Sequence, residues 1–212
     1  MKEAALPVIV YADFICPYCY ISQERVDQLI RDYGVEPQWR PHWLHPEVPP
    51  EGMPFPATSD PDRRKATLEW LKEMAPEQAA AIRLPDKLQF SFFAFQALEF
   101  ARDRGLALPF KSAVFNALWV RGKDIAQLST LQEAANEVGL DADEMARALY
   151  DQTYIARTLA ALYMAKNAGV TEVPTFVLGR TTIVGWHYYE VFQTVMEQQG
   201  IPLKSLNGPQ KT

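Results

Sequence analysis

Apolar positions change period along this chain, and each change marks an element. Leu6-Pro7-Val8-Ile9-Val10-Tyr11-Ala12 is an almost unbroken apolar run, too short for a helix and rich in β-branched residues. It predicts a strand buried on both faces, as in a parallel or mixed sheet. Further on, Val26, Leu29, Ile30 and Tyr33 recur at helical spacing and Gly34 stands where a helix ends. A helix from Cys16 or Pro17 to Tyr33 follows. Glu36 to Leu44 alternates partially, which predicts a second strand, broken at Pro41 and therefore near a sheet edge.

Prolines then crowd from Pro46 to Pro61 and mark a long loop. From Arg63 to Ala168 the periods are helical, carried by Leu68, Leu71 and Met74, by the Phe-rich stretch from Phe90 to Phe100, and by Val114 to Trp119. Ser129-Thr130-Leu131-Gln132 and Asp141-Ala142-Asp143-Glu144 each have the form of a helix-starting capping box. Thr175–Leu178 and Thr181–Val184 read as two strands joined at Gly179-Arg180, where glycine in the first turn position suits a type II′ hairpin. A last helix from Tyr188 to Gln199 carries Val191, Phe192, Val195 and Met196 on one face and stops at Gly200. The pattern is α/β: a β-α-β half over residues 1–45, a helical insertion over 46–168, a β-β-α half over 169–202, and a polar tail over 203–212 expected to be flexible.

Composition narrows the partners. With 48% hydrophobic residues in 212, the chain can bury a full core. A formal charge of −5 without a basic cluster argues against nucleic acid or an anionic membrane. No segment approaches the ~20 apolar residues of a membrane span. A secretory pattern is not evident before Pro7, so a cytoplasmic location is expected.

The chemistry lies in Cys16-Pro17-Tyr18-Cys19, which holds the only two cysteines and sits where the first strand gives way to a helix. Pro17 suits the first helical position, because its fixed φ matches the helix and its missing N–H has no intrahelical partner to lose. Cys16 then falls at the cap, facing free backbone N–H groups and the positive end of the helix dipole, which favour a thiolate. Cys19 lies about one turn along the same face, more buried and within bonding reach. This reads as a redox dithiol in which Cys16 attacks and Cys19 resolves. A zinc site would need two more ligands, and His42, His45 and His187 are scattered. No metal is expected. A plain pair of core cysteines would not call for a proline at the junction.

Asp13 has two open readings, a cap on the strand-to-helix turn or a carboxylate that raises a nearby thiol pKa and relays a proton from Cys19. Tyr18 can hydrogen-bond a sulfur but brings no positive charge. The aromatic residues Phe90, Phe92, Phe93, Phe95 and Trp119 read as core rather than as a peptide groove.

Asp13-Phe14-Ile15-Cys16-Pro17-Tyr18-Cys19-Tyr20 resembles the active-site segment of DsbA-like thioredoxin-fold oxidoreductases, especially their FrnE-like branch. Gly169-Val170-Thr171-Glu172-Val173-Pro174-Thr175-Phe176-Val177 resembles the family's second hallmark, a Val-Pro with a cis peptide bond facing the dithiol. The resemblance extends through Phe115-Asn116-Ala117-Leu118-Trp119 and Gly122-Lys123-Asp124-Ile125, so it covers nearly the whole chain. It implies a thioredoxin-like fold interrupted by a large all-helical insertion, and a disulfide oxidoreductase with a redox-active disulfide in place of a bound cofactor. It also implies that Val173 and Pro174 offer backbone groups to an extended substrate. Disulfide- or dithiol-containing client proteins are the expected partners, with glutathione or a thioredoxin-type protein for recycling and glutathione as a candidate co-substrate. Two alternatives remain. One is a glutathione-dependent isomerase or transferase of the 2-hydroxychromene-2-carboxylate isomerase or kappa class, relatives that usually carry Ser where Cys16 stands. The other is a non-catalytic client-binding module.

Overall fold

The computed structural model describes residues 6–55 and 61–204; most of the expected C-terminal tail lies outside them. In chain order it contains β1 (Val8–Ala12), α1 (Pro17–Ile21), α2 (Gln23–Tyr33), β2 (Pro37–Pro41), β3 (Met53–Pro54), α3 (Pro61–Met74) and α4 (Pro76–Ala79). There follow β4 (Lys87–Leu88), α5 (Phe92–Asp103), α6 (Ala107–Trp119), α7 (Leu128–Glu137), α8 (Ala142–Tyr150), α9 (Ile155–Asn167), β5 (Thr175–Leu178), β6 (Thr181–Val184) and α10 (Tyr189–Gln198). One sheet has the order β2-β1-β5-β6, with β2 parallel to β1 and the other pairs antiparallel. This is the thioredoxin-type sheet, with helices packed around it.

The register decides which side chains share a face. Val10 pairs with Phe176 and Phe176 with Ile183, all three buried, so they form one apolar face. The same buried core holds Val26 and Leu29 of α2 and Phe192 of α10, whose ring meets Phe176 edge-on at 4.9 Å. Strand alternation thus aims one set of residues at a single helical layer. Val191 of α10, expected on the buried face, is 38% exposed, while Phe192, Val195 and Met196 are buried.

Edge strand β2 begins and ends with proline, as an edge permits. Its Trp39 carbonyl accepts a 2.6 Å hydrogen bond from the Arg102 guanidinium of α5, which joins the edge to the helical part. The proline-rich segment after β2 is not loop alone: β3 and β4 form an antiparallel two-residue ladder, Met53 with Leu88 and Pro54 with Lys87. Such a ladder carries too few residues for a sequence periodicity, so the insertion reads as purely helical until the chain folds.

Two helix starts differ from expectation. The single helix after the dithiol divides at Ser22, where α1 ends and α2 begins. Ser129 is no cap, because α7 already starts at Leu128 with Gln127 as its N-cap. Asp141 does cap α8, its side chain accepting from the Glu144 N–H at 2.8 Å. Gly34 adopts φ 68 and closes α2 in the left-handed conformation that favours glycine.

Candidate active site

At the carboxyl end of β1 the chain must turn and start a helix, and the dithiol sits on that turn. Cys16 is the N-cap of α1 with Pro17 in the first turn, and its N–H bonds the Asp13 carbonyl at 3.2 Å. Cys16 is 5% exposed and Cys19 fully buried. Both are free thiols, and they come within 3.4 Å of each other. The Cys16 Sγ–H lies 3.5 Å from the Val173 carbonyl, which accepts its hydrogen bond. Val173 precedes Pro174 across a cis peptide bond. Two segments 157 residues apart in the chain therefore meet at this sulfur.

Burial above all, then the adjacent Cys16 sulfur, pushes the Cys19 thiol well above its ordinary range. Cys19 is held as a thiol until its proton has somewhere to go.

Asp13 caps the strand-to-helix turn, the first of the two readings considered for it. Its Oδ1 accepts from the Ile15 N–H at 3.2 Å, which caps the turn, and its Oδ2 accepts from the Leu44 N–H at 2.9 Å, which ties that turn to the chain after β2. Asp13 has no exposed surface, and burial raises its pKa from 3.8 to about 6 against the opposing pull of those N–H groups. Its charge is also felt at Cys19, whose thiol it raises further.

Cys16 opens on a groove of about 620 Å³, bordered by Ile15, Tyr18, Leu44, His45, Phe55, Trp70, Thr171, Glu172 and Trp186 among others. Tyr18 reaches into it and meets Trp70 edge-on at 5.4 Å. Phe90, Phe92 and Phe95 are buried and take no part in the groove. Trp119 is buried too, and its indole N–H donates to the Phe14 carbonyl at 2.8 Å, bracing the turn from behind. His42 and His187 lie outside the groove, but His45 lines it, with its ring against Glu47 at 2.8 Å.

Leu44, His45, Phe55, Trp70, Glu172 and Trp186 were not legible as site residues from periodicity. For Leu44 and His45 a signal existed: parallel pairing places Pro41 beside Ala12, so residues just past β2 must adjoin residues just past β1. For Trp70 there was none, since it sits among apolar helix positions that look alike in sequence.

Comparison with known proteins bears on the family and the fold. The family model described as DSBA-like thioredoxin domain matches residues 7–197. The uncharacterized protein YwbO of Bacillus subtilis is 28% identical over 193 residues, covering 90% of this chain and 95% of its own. A probable DsbA oxidoreductase from Streptomyces coelicolor is 25% identical with a TM-score of 0.82, over 98% of this chain and 93% of that one. The cytosolic disulfide reductase DsbM of Pseudomonas aeruginosa, solved with GSH, shares the fold at 18% identity with a TM-score of 0.67, over 92% and 98% of the two chains.

Proposed function

Since the chain belongs to the DSBA-like thioredoxin domain family, we propose that it is a thiol–disulfide oxidoreductase in which Cys16 attacks and Cys19 resolves. The observation that carries this reading is the pair of free thiols within 3.4 Å at a helix start, with the Cys16 sulfur against the Val173 carbonyl. The Cys16 thiolate attacks one sulfur of a substrate disulfide; that S–S bond breaks, and the departing sulfur leaves as a thiolate and takes up a proton. Cys19 then loses its proton, attacks the Cys16 sulfur of the mixed disulfide, and releases the second substrate thiolate. The substrate has gained two electrons and the protein holds a Cys16–Cys19 disulfide; the same steps in reverse oxidise a substrate dithiol.

Asp13 is the group suited to receive the Cys19 proton. It is buried near that thiol, and with a pKa of about 6 it is mostly ionised at neutral pH yet more basic than an exposed carboxylate. Val173, with Pro174, supplies the backbone wall against which an extended substrate strand lies, its main-chain groups giving affinity with little sequence demand. Disulfide- or dithiol-bearing proteins are the clients, and glutathione is a candidate for returning the dithiol to its starting state.

The test is thiol trapping across a glutathione redox series. A reversible intramolecular disulfide is expected, at about −120 to −200 mV for an oxidant or isomerase and about −270 mV for a reductase. The Cys16→Ser variant should lose all exchange, and Cys19→Ser should accumulate a mixed disulfide visible by intact mass. If no reversible disulfide forms at any potential, the dithiol mechanism is wrong and a glutathione-dependent isomerase becomes the better reading.

A further inference from the structure

The groove beside Cys16 has a wall of aromatic rings drawn from three separate parts of the chain. Tyr18 comes from the dithiol itself, Trp70 from α3, and Trp186 from the segment after β6. Trp70 meets Tyr18 edge-on at 5.4 Å and Trp186 at 5.6 Å, and Trp186 meets Tyr188 at 4.9 Å. Trp70 is 37% exposed and Tyr188 55%. A run of large rings left open to water beside a reactive sulfur is costly unless something covers it, and aromatic anchors are what binding surfaces use. The rest of the lining includes the apolar side chains of Ile15, Leu44, Phe55 and Leu88.

Charge narrows the occupant further. The lining's one basic side chain, His45, is already engaged by Glu47. Glu172 also borders the groove, and its carboxylate has no ion-pair partner among the described residues. Among the described residues the lining holds no lysine or arginine, and Arg25, whose guanidinium lies over the Trp186 ring at 5.2 Å, is directed to the His187 carbonyl and the Gln28 side chain. A ligand rich in carboxylates, such as glutathione disulfide, meets like charge at Glu172, which a neutral or basic segment does not.

We propose that Trp70, with Tyr18 and Trp186, forms a specificity subsite that selects polypeptide disulfides bearing an aromatic residue next to the reacting cysteine and neutral or basic flanks. The inference rests on the oxidoreductase reading. The substrate ring joins the edge-to-face series on the face that Trp70 leaves open, while its cysteine sulfur faces Cys16. Each such ring pair adds to affinity beyond the area it buries.

The experiment measures second-order rate constants of the reduced full-length protein with four disulfides: those of N-acetyl-Lys-Phe-Cys-amide and N-acetyl-Lys-Ser-Cys-amide, glutathione disulfide, and hydroxyethyl disulfide. The Phe peptide should exceed the Ser peptide by roughly three- to tenfold, the range expected of one aromatic pair, with glutathione disulfide slower than both. In W70A and in W70L, which keeps bulk without a ring, the Phe-to-Ser ratio should fall to near 1, and W70F should restore most of it. E172Q should speed glutathione disulfide selectively. A wild-type ratio near 1, a ratio unchanged in both W70A and W70L, or glutathione disulfide reacting fastest would overturn the subsite; the last result would make the glutathione disulfide the preferred occupant. Inactivity of the wild type toward all four, hydroxyethyl disulfide included, would instead sink the oxidoreductase reading and the subsite with it.

Discussion

The Asp13 carboxylate links the dithiol turn to the end of β2, and its protonation couples stability to chemistry. Its pKa is about 6 in the folded protein against an ordinary 3.8, so between those values the native state holds a proton that the unfolded state has released. Stability must therefore fall as pH rises through that window, by about 3 kcal/mol in all. Above pH 6 the buried carboxylate stays ionised at a standing cost, which the two N–H donors from Ile15 and Leu44 reduce. In Asp13→Asn the fall should be absent: urea midpoints measured from pH 4 to 7 should decline in the wild type and lack that component in the variant. A wild-type slope retained in the variant would place the titrating group elsewhere. The role of this residue was only half legible. Its position before a helix start suggests a cap, but the bond to Leu44, 31 residues on, exists only once β2 lies beside β1.

Among the elements, α6 and β2 are joined by an unusual contact. Lys111 of α6 is buried, with its ammonium 4.4 Å from the centre of the Trp39 ring of β2. Burial lowers its pKa from 10.5 to about 8, and the nearby Asp27 charge opposes that shift only in part. Between those values the unfolded chain holds a proton that the native state has lost, so stability rises with pH there, by about 3 kcal/mol. Lys111→Met should be more stable than the wild type at pH 7, and the gap should close as pH climbs from 8 to 10.5. Denaturant midpoints of both proteins over that range measure it, and a gap independent of pH would refute the assignment. Nothing in the apolar period of α6 separates Lys111 from a surface lysine, because periodicity reports which face is buried and not which polar residue is trapped in it. The two capping boxes teach the same lesson. Asp141 to Glu144 and Ser129 to Gln132 have the same form, yet only the first begins a helix, because α7 starts at Leu128 with Gln127 as its N-cap and Ser129 falls within it.

At the scale of the molecule, the helical part braces the strand-to-helix turn through one buried hydrogen bond, from the Trp119 indole of α6 to the Phe14 carbonyl. Tyr20 stacks on the same ring at 6.3 Å, and Phe14 packs on Phe95 and Phe115 at 5.7 and 5.0 Å. Trp119→Phe leaves the Phe14 carbonyl buried without this donor, at a cost of about 1–3 kcal/mol, which a chemical-denaturation midpoint should register as a loss of stability. An unchanged midpoint would mean that the turn is held without the helical part. Local patterning determined a good deal of this protein by itself. The run before Ala12 became β1, the pair Thr175–Leu178 and Thr181–Val184 became a hairpin with the expected bounds, and proline and the cysteine spacing marked the helix start with its two sulfurs on one face. Those features depend on residues within a few positions of one another, where backbone sterics and side-chain period act directly. Tertiary structure decided that Val173 would meet Cys16, which the chain's own pattern did not carry and only the family resemblance implied, that Leu44 would reach Asp13, and that Trp70 would stand against Tyr18 and Trp186. Each of those contacts joins segments far apart in the chain, and such contacts are set by sheet register and helix packing, which no local period encodes.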